Sequence, residues 1–296
     1  LDLSLYNGTV AEELIQSLSQ PLSLRYQTQV VRTTAVVQYA QSEIEIAWDV
    51  GQIKANQHTL PISEVEFELK TGTVDAVLDL GAQWLKHLPL IIELRSKSER
   101  GDALYELSTQ RSEPLHGATA ALALADQPFR LGQAQPTEIT KLSPLYHQAA
   151  QRFLTQIIRN AAFLGGIDEI QAPNDLQAQY LTLMRVGMRR LRSCRQLFKP
   201  WLTPLDKAHT EQLLEHYKKF GRWRDNDMLW LELQPKLVAA GLPAAKKLEP
   251  PKGARRNPRL LAANQAYQLL LLENLRNLVL GQGLINKADA PEQTQR

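Results

Sequence analysis

The chain has a single cysteine, Cys194, among its 296 residues. One cysteine excludes an internal disulfide and a cysteine-based zinc cluster, and such low usage is typical of a reducing compartment. Long apolar runs are also missing, because no segment reaches the roughly 18 uncharged apolar residues of a membrane span, and no signal peptide opens the chain. We therefore expect a cytoplasmic protein with no membrane partner.

Metal-binding histidine patterns are missing as well. The six histidines show no ligand spacing such as His-x-x-x-His, so none is assigned to a metal or to catalysis. Apolar residues make up 44% of the chain, which is enough for real cores, and 296 residues is roughly twice a typical domain length. These values predict a folded protein with two domains.

The net charge of +3 hides a division between the two halves of the chain. Residues 1–149 hold 11 Lys and Arg against 18 Asp and Glu, whereas residues 150–296 hold 23 against 13. A strongly basic surface raises the local concentration of anions. The C-terminal half is therefore expected to bind an anionic partner.

Acidic residues are absent from positions 181–203, yet five arginines lie between positions 185 and 195. On a helix, Arg185, Arg189 and Arg192 fall at i, i+4 and i+7 and form one basic stripe. Guanidinium groups always carry charge and bind phosphate through forked donors. The alternative, a solvated face paired with acids, finds no partner nearby. A neighbouring stripe is apolar and suited to burial: Met184, Met188, Leu191 and Cys194.

Hydrophobic patterning predicts an α+β protein. Four segments alternate in the manner of an antiparallel meander, with turns near 49–51 and 56–61: Leu24 to Val31, Ala35 to Tyr39, Glu43 to Trp48 and Glu64 to Leu69. A helix is expected at 73–87, and short strands at 91–94 and 103–107 on either side of a polar loop, 96–102. Five helices are expected beyond residue 143: 144–164, 175–200, 204–219, 224–240 and 258–281. Prolines 250 and 251 interrupt the last two.

These patterns divide the chain into residues 1–110, a linker at 111–140 rich in glycine and proline, and a helical domain at 141–296.

An acidic strand stands out in the first domain. Alternation places Glu64, Glu66 and Glu68 on one face and apolar residues on the other. On an exposed sheet such carboxylates are screened by water and lysines. Inside a closed barrel they would bind a hard cation with oxygen ligands, Mg²⁺ or Mn²⁺. Periodicity alone leaves both interpretations open.

The segments SEIEIAWDVGQI, ISEVEFELKTGTVDAVLDLGAQW and SKSERG resemble the second half of a CYTH domain, the triphosphate tunnel metalloenzyme fold. The resemblance covers roughly residues 20–107. It implies an antiparallel β tunnel that hydrolyses inorganic tripolyphosphate with Mg²⁺ or Mn²⁺. The family's N-terminal Glu-x-Glu-x-Lys strand has no counterpart before Leu24, so we expect only the C-terminal part of a tunnel. Either the rest of the tunnel is absent from this chain, or another segment or a second copy in a homodimer completes it.

The same resemblance implies roles for individual residues. It assigns metal binding and catalysis to Glu66 and Glu68, with Glu64 as a further metal ligand. It assigns phosphate contacts to Arg32, Lys97 and Arg100, of which the first two would also act in catalysis. Two further acids are implied to line the same lumen: Glu45 and Asp49.

The segments LMRVGMRRLRSCRQLFKPWL and FGRWRDNDM resemble a CHAD domain, a helical module whose basic groove binds inorganic polyphosphate. The family's histidine ahead of the first arginine is Thr182 here, and its second His/Arg-rich repeat has no counterpart after residue 258, so a partial CHAD domain is expected. The resemblance implies the following phosphate contacts: Arg185, Arg189, Arg192, Arg190, Lys199, Arg222 and Arg224.

Three functions remain open from the sequence. The first is an inorganic triphosphatase with a basic helical domain that binds polyphosphate. The second is a non-catalytic polyphosphate-binding module. The third is a nucleic-acid binder, which is disfavoured because no aromatic residues interleave with the arginines and no base-reading motif is present.

Overall fold

The computed structural model describes residues 2–20, 22–110, 130, 142–167, 174–202, 207–242 and 258–281. An N-terminal three-stranded antiparallel sheet is followed by a helical region, which confirms the α+β class. The predicted linker at 111–140, apart from Arg130, and the predicted interruption at 250–251 lie outside the described residues.

The sheet is the predicted antiparallel meander, with strand order β1-β2-β3. Two of the four predicted segments, 24–31 and 35–39, form one strand, so the described sheet has three longer strands: β1 is Gln27–Tyr39, β2 is Ser42–Ala55 and β3 is His58–Thr71. The turn predicted near 49–51 is wrong, because β2 continues through it. Gly51 is paired with Val30, and a Cβ there would collide with the Gln29 carbonyl oxygen, so this glycine allows a close strand approach.

Each face of the sheet is covered by one helix. Helix α1 (Glu12–Gln16) precedes the sheet, and α2 (Val74–His87) follows Thr73, whose side chain accepts from the amide of Ala76 and caps the helix. The α2 face of the sheet is apolar. Its core comprises Ile44, Ile46, Ala76 and Leu80, with Phe67 and Trp84 packed edge to face.

Helix α3 (Lys97–Gln110) covers the opposite face and corrects two predictions. The predicted loop at 96–102 and strand at 103–107 form this one helix, and 91–94 lies outside regular structure. Arg100 and Leu104 are buried at a spacing of four residues, and Leu107 packs beside them, which is a helical period. The short apolar run at 103–107 was too brief to distinguish a strand from a buried helix segment.

The helical region is built on a long antiparallel pair, α4 (Leu142–Gly165) and α5 (Asn174–Phe198). Its core includes the predicted apolar stripe of α5: Met184, Met188, Leu191 and Cys194. Gly187 lets the two helices approach closely, since a Cβ there would lie 2.9 Å from Ile157 Cγ1.

The remaining helices differ from the predicted boundaries. The gap predicted between the helices at 204–219 and 224–240 is absent, because α6 (Lys207–Asp227) runs through it. A π-helix, Met228–Leu233, and then α7, Gln234–Ala239, follow α6 directly. The predicted helix at 258–281 is two helices, α8 (Pro258–Ala262) and α9 (Gln265–Val279). Asn264 caps α9 by accepting from the amide of Ala266, which favours a break there.

The sheet and the helical region meet where α2 packs on α9. Arg276 of α9 binds Asp75 of α2 at 2.6 Å, and the Gln265 side chain donates to the Leu85 carbonyl at 2.9 Å. The amide of Ile92 donates to Gln268 at 2.9 Å. Across the residues described, no helix combines the length and apolar character needed to span a membrane.

Candidate functional site

A cluster of charged residues occupies the middle of the α3 face of the sheet. Strand pairing places Arg32 of β1 opposite Asp49 of β2, and Asp49 opposite Glu64 of β3. Directly paired residues share a face, so the three side chains project toward α3. Glu66 follows two positions along β3 on the same face. The strand order therefore brings together residues that are up to 34 positions apart in the sequence.

Asp49 is the most enclosed member of this charged cluster, with no exposed side-chain surface. Arg32 binds it with both arms of the guanidinium, Nε to Oδ1 at 2.7 Å and Nη2 to Oδ2 at 2.6 Å. These hydrogen bonds to Arg32 lower the pKa of Asp49 to about 2, against the opposing effect of burial. The aspartate is therefore ionised, and it orients Arg32.

Lys97, the first residue of α3, places its ammonium among three carboxylates. Nζ lies 2.8 Å from Asp49 Oδ2 and 2.8 Å from Glu66 Oε1, and it also contacts Glu64. Burial alone would lower the pKa of Lys97, but the hydrogen bonds to these carboxylates outweigh burial and raise it. The lysine is therefore charged and compensates the acidic face of the sheet.

Arg100 completes the charged cluster one turn along α3. Its side chain is only 5% exposed, and it lies 3.4 Å from Glu64 Oε2 and 3.0 Å from the Pro61 carbonyl oxygen. Arg32 also binds Glu66, at 2.7 Å. The charged cluster therefore pairs three cations with three carboxylates, and its formal charges cancel.

The same carboxylates suit a hard metal ion. One oxygen each from Asp49, Glu64 and Glu66 lie within 4.8 Å of one another, close enough to share an ion. Glu68, the third glutamate of the predicted set, instead pairs with Lys70 at 3.1 Å. Lys70 also binds Glu45 at 3.1 Å, and the hydrogen bonds to Glu68 and Glu45 raise its pKa. The structure thus brings Asp49, Glu64 and Glu66 together as a candidate metal group, and the assignment of Glu68 to the metal stays a prediction.

The arginines of α5 point in several directions. Arg185 and Arg192 lie against α6, where their Cζ atoms are 4.7 Å and 5.4 Å from the ring centroid of Tyr217. Arg190 instead donates to Gln156 of α4 at 3.0 Å, and Arg195 donates to Asn274 of α9 at 2.6 Å. The predicted basic stripe therefore lies on a surface shared by α5 and α6. Arg190 and Arg195 instead form hydrogen bonds from α5 to α4 and α9.

Three more of the predicted phosphate contacts are exposed: Arg189, Lys199 and Arg222. The side chain of Arg224 lies outside the described residues, although its backbone is part of α6.

Tyr217 was missed by the sequence analysis. It lies 25 residues beyond Arg192, so a search for aromatic residues between the arginines could not find it. The pairing of α5 with α6 brings it to them.

Parts of the chain are similar to known proteins. The CHAD domain family matches residues 161–295, which include α5 and α6. The chain is also similar to a protein named inorganic triphosphatase from Haemophilus influenzae, at 38% identity over 90 residues. That match covers 30% of this chain and only 25% of the relative. The chain therefore carries a CHAD domain at residues 161–295, and the two matches together are consistent with a CYTH–CHAD protein.

Proposed function

We propose that this chain belongs to a metal-dependent inorganic triphosphatase and that its charged cluster binds the terminal phosphates of tripolyphosphate together with Mg²⁺ or Mn²⁺. The observation that carries the proposal is the interleaving of Asp49, Glu64 and Glu66 with Arg32 and Lys97 on one sheet face. Carboxylates alone would favour any cation. Carboxylates with arginine and lysine favour a metal ion bound to a phosphate chain.

Charge balance explains why metal and phosphate would bind together. A divalent ion added alone would bring two positive charges to a cluster whose charges already cancel. A phosphate chain added alone would be repelled by the carboxylates of Asp49, Glu64 and Glu66. When both enter, the carboxylates bind the metal, Lys97 leaves them, and the Arg32 donor that binds Glu66 is released to bind phosphate oxygens. In the complex the metal offsets part of the negative charge of the phosphate chain, and each ligand meets groups of opposite charge.

Each side chain has a defined task in this exchange. Arg32 keeps its bidentate bond to Asp49 and turns its remaining donors toward a terminal phosphate. Lys97 moves from the carboxylates to the same phosphate, and Arg100 stays anchored on Pro61 and Glu64. Asp49, Glu64 and Glu66 would hold the metal ion, which supplies charge neutralisation on the phosphoryl group being transferred to water. Catalysis would thus consist of positioning and electrostatic stabilisation.

The basic surface on α5 and α6 has a supporting role in this proposal. We infer that Arg185, Arg189 and Arg192 bind polyphosphate and raise its concentration near the charged cluster. The support is the absence of acids from positions 181–203 and the exposure of Arg189 and Arg192. Guanidinium groups without carboxylate partners keep their charge available to an anion.

Phosphate release tests the catalytic part. Purified protein is incubated with tripolyphosphate with and without Mg²⁺, and Glu66→Gln is compared with Glu68→Gln. We expect Mg²⁺-dependent release that falls by about a hundredfold or more in Glu66→Gln and changes much less in Glu68→Gln. Equal losses would extend the metal site to Glu68, as the family resemblance implies. Unchanged release in both variants would place the carboxylate function elsewhere.

A non-catalytic polyphosphate-binding module is the second candidate. Strands β1 and β3 are the outer strands of the described sheet, so the α3 face is not enclosed by further described strands. No phosphate release, together with tight binding of a long polyphosphate, would favour this alternative. Competition between short polyphosphate and a nucleic acid then distinguishes it from nucleic-acid binding: displacement of nucleic acid by a modest excess of polyphosphate supports the polyphosphate function.

A further inference from the structure

Two arginines of α5 share one aromatic ring of α6. Arg185 Cζ lies 4.7 Å and Arg192 Cζ 5.4 Å from the Tyr217 centroid, both within the range of a cation–π contact. Among the described residues, neither guanidinium forms an ion pair with a carboxylate. The Tyr217 ring therefore supplies an attraction to each of the two positive charges.

An aromatic ring holds an arginine differently from a carboxylate. A carboxylate cancels the charge of its partner, and Asp49 does this to Arg32 in the charged cluster. A ring attracts the cation through its quadrupole and leaves the formal charge uncancelled. Arg185 and Arg192 are therefore held in place while both positive charges stay available to an anion.

The backbone of α6 fits this arrangement. Gly221 lies one turn beyond Tyr217 on α6, and Arg185 Nη2 is only 3.1 Å from the position that a Cβ on Gly221 would occupy. The absence of a side chain there lets Arg185 lie flat against the helix. Arg185 Nε is buried without a hydrogen-bond partner among the described atoms, so packing and the ring fix this group.

We propose that Tyr217 is the positioning residue of the polyphosphate site: it holds Arg185 and Arg192 as a preorganised pair that binds two phosphates of one chain. This inference rests on the proposed binding of polyphosphate by α5. Without the ring, the two arginines keep their charges but lose their fixed arrangement, and binding must order two long side chains at an entropic cost.

The test compares Tyr217→Phe, Tyr217→Leu and Arg185→Ala for binding of a long-chain polyphosphate at several salt concentrations. The phenylalanine retains the ring and is expected to bind like the unmodified protein. The leucine variant should lose about tenfold in affinity with the same salt dependence, since both charges remain. Arg185→Ala should lose affinity and also show a weaker salt dependence. Thermal unfolding of each variant verifies the fold.

Equal affinity of Tyr217→Leu and the unmodified protein would overturn the positioning role, as would equal losses in Tyr217→Phe and Tyr217→Leu. A second measurement is independent of any ligand. The ring should shift the NMR resonances of the Arg185 and Arg192 side chains, and the leucine variant should lose this shift. If the leucine variant loses this NMR shift but the unmodified protein binds no polyphosphate, the ring contact is supported and the proposed function is contradicted. Polyphosphate binding that does not depend on the ring would contradict only the role of Tyr217.

Discussion

Lys97 Nζ lies 2.8 Å from Asp49 Oδ2, so the first residue of α3 is bonded to the most enclosed acid of β2. Asp49 has no exposed side-chain surface, and Lys97 is 16% exposed. The ammonium occupies the space among the carboxylates that a metal ion would need. Lys97 is therefore both a structural counter-ion of the acidic face and the side chain that must move when a metal binds.

Replacing Lys97 should strengthen the binding of metal alone. In Lys97→Met, the three carboxylates lose one cation, and the repulsion between metal and ammonium disappears. We expect Mn²⁺ affinity without phosphate to rise on the order of tenfold, a change of about 1.4 kcal/mol. Lys97→Arg, which retains the charge, is the matched control and should not gain affinity. Isothermal titration with Mn²⁺ measures both, and no gain in Lys97→Met would show that the ammonium does not compete with metal.

Asp49 should stabilise the fold at neutral pH and lose this effect in acid. Its folded-state pKa of about 2 lies below its ordinary value of 3.8, so the stabilisation is present above pH 3.8 and is lost as the pH falls toward 2. Asp49→Asn should lower the free energy of unfolding by about 1–2 kcal/mol at pH 7. Urea denaturation at pH 7, 5 and 3 measures the difference, which should shrink at pH 3. The exposed Glu13→Gln is the control for loss of one carboxylate, and a difference that grows in acid would contradict the ion pairing.

Two helical glycines should respond in opposite directions to the same substitution. Gly187→Ala places a methyl group 2.9 Å from Ile157 Cγ1 and should lower the free energy of unfolding by about 1–3 kcal/mol. Gly81→Ala in α2 meets only Leu272 Cδ2 at 3.9 Å and should raise it by about 0.5–1 kcal/mol, because alanine favours the helix. Thermal and urea unfolding measure both. A stabilised Gly187→Ala would mean that α4 and α5 are packed less closely than described.

Removing Arg185 and Arg189 together should weaken polyphosphate binding and reduce its salt dependence. Each phosphate contact releases counter-ions, so the slope of log affinity against log salt should fall by roughly one to two units for the double alanine variant. Lys218→Ala together with Lys86→Ala removes the same charge from other exposed positions and should retain most of the slope. Fluorescence anisotropy at four salt concentrations provides the slopes. Similar losses in both double variants would point to a general charge effect.

Much of the fold was visible in local patterns. Alternation over 24–69 predicted the meander, and helical periodicity over 73–87 predicted α2, because both signals depend on neighbours in sequence. The apolar stripe of α5 was predicted for the same reason. Helix α3 was not predicted, because its buried face begins with a charged residue, Arg100. The burial of Arg100 depends on its hydrogen bonds to Glu64 and Pro61 of β3.

The charged cluster shows the same division. Alternation in β3 predicted an acidic face, and the family resemblance implied that Arg32 and Lys97 bind phosphate beside it. Strand register decided which acids meet: it placed Asp49 between Arg32 and Glu64 and left Glu68 beside Lys70. Tyr217 could not be predicted either, because its contact with Arg185 depends on the packing of α5 against α6.

We expect metal and triphosphate to bind the charged cluster together, and a linked titration tests this most directly. Mn²⁺ is titrated into the protein without phosphate and with a saturating non-hydrolysable triphosphate analogue, and Asp49→Asn is measured in the same way. We expect Mn²⁺ alone to bind the protein weakly. With the analogue present, Mn²⁺ should bind the protein at least tenfold more tightly, after correction for the affinity of the free analogue for Mn²⁺, and this gain should be smaller in Asp49→Asn. Mn²⁺ affinity that is the same with and without the analogue would contradict it.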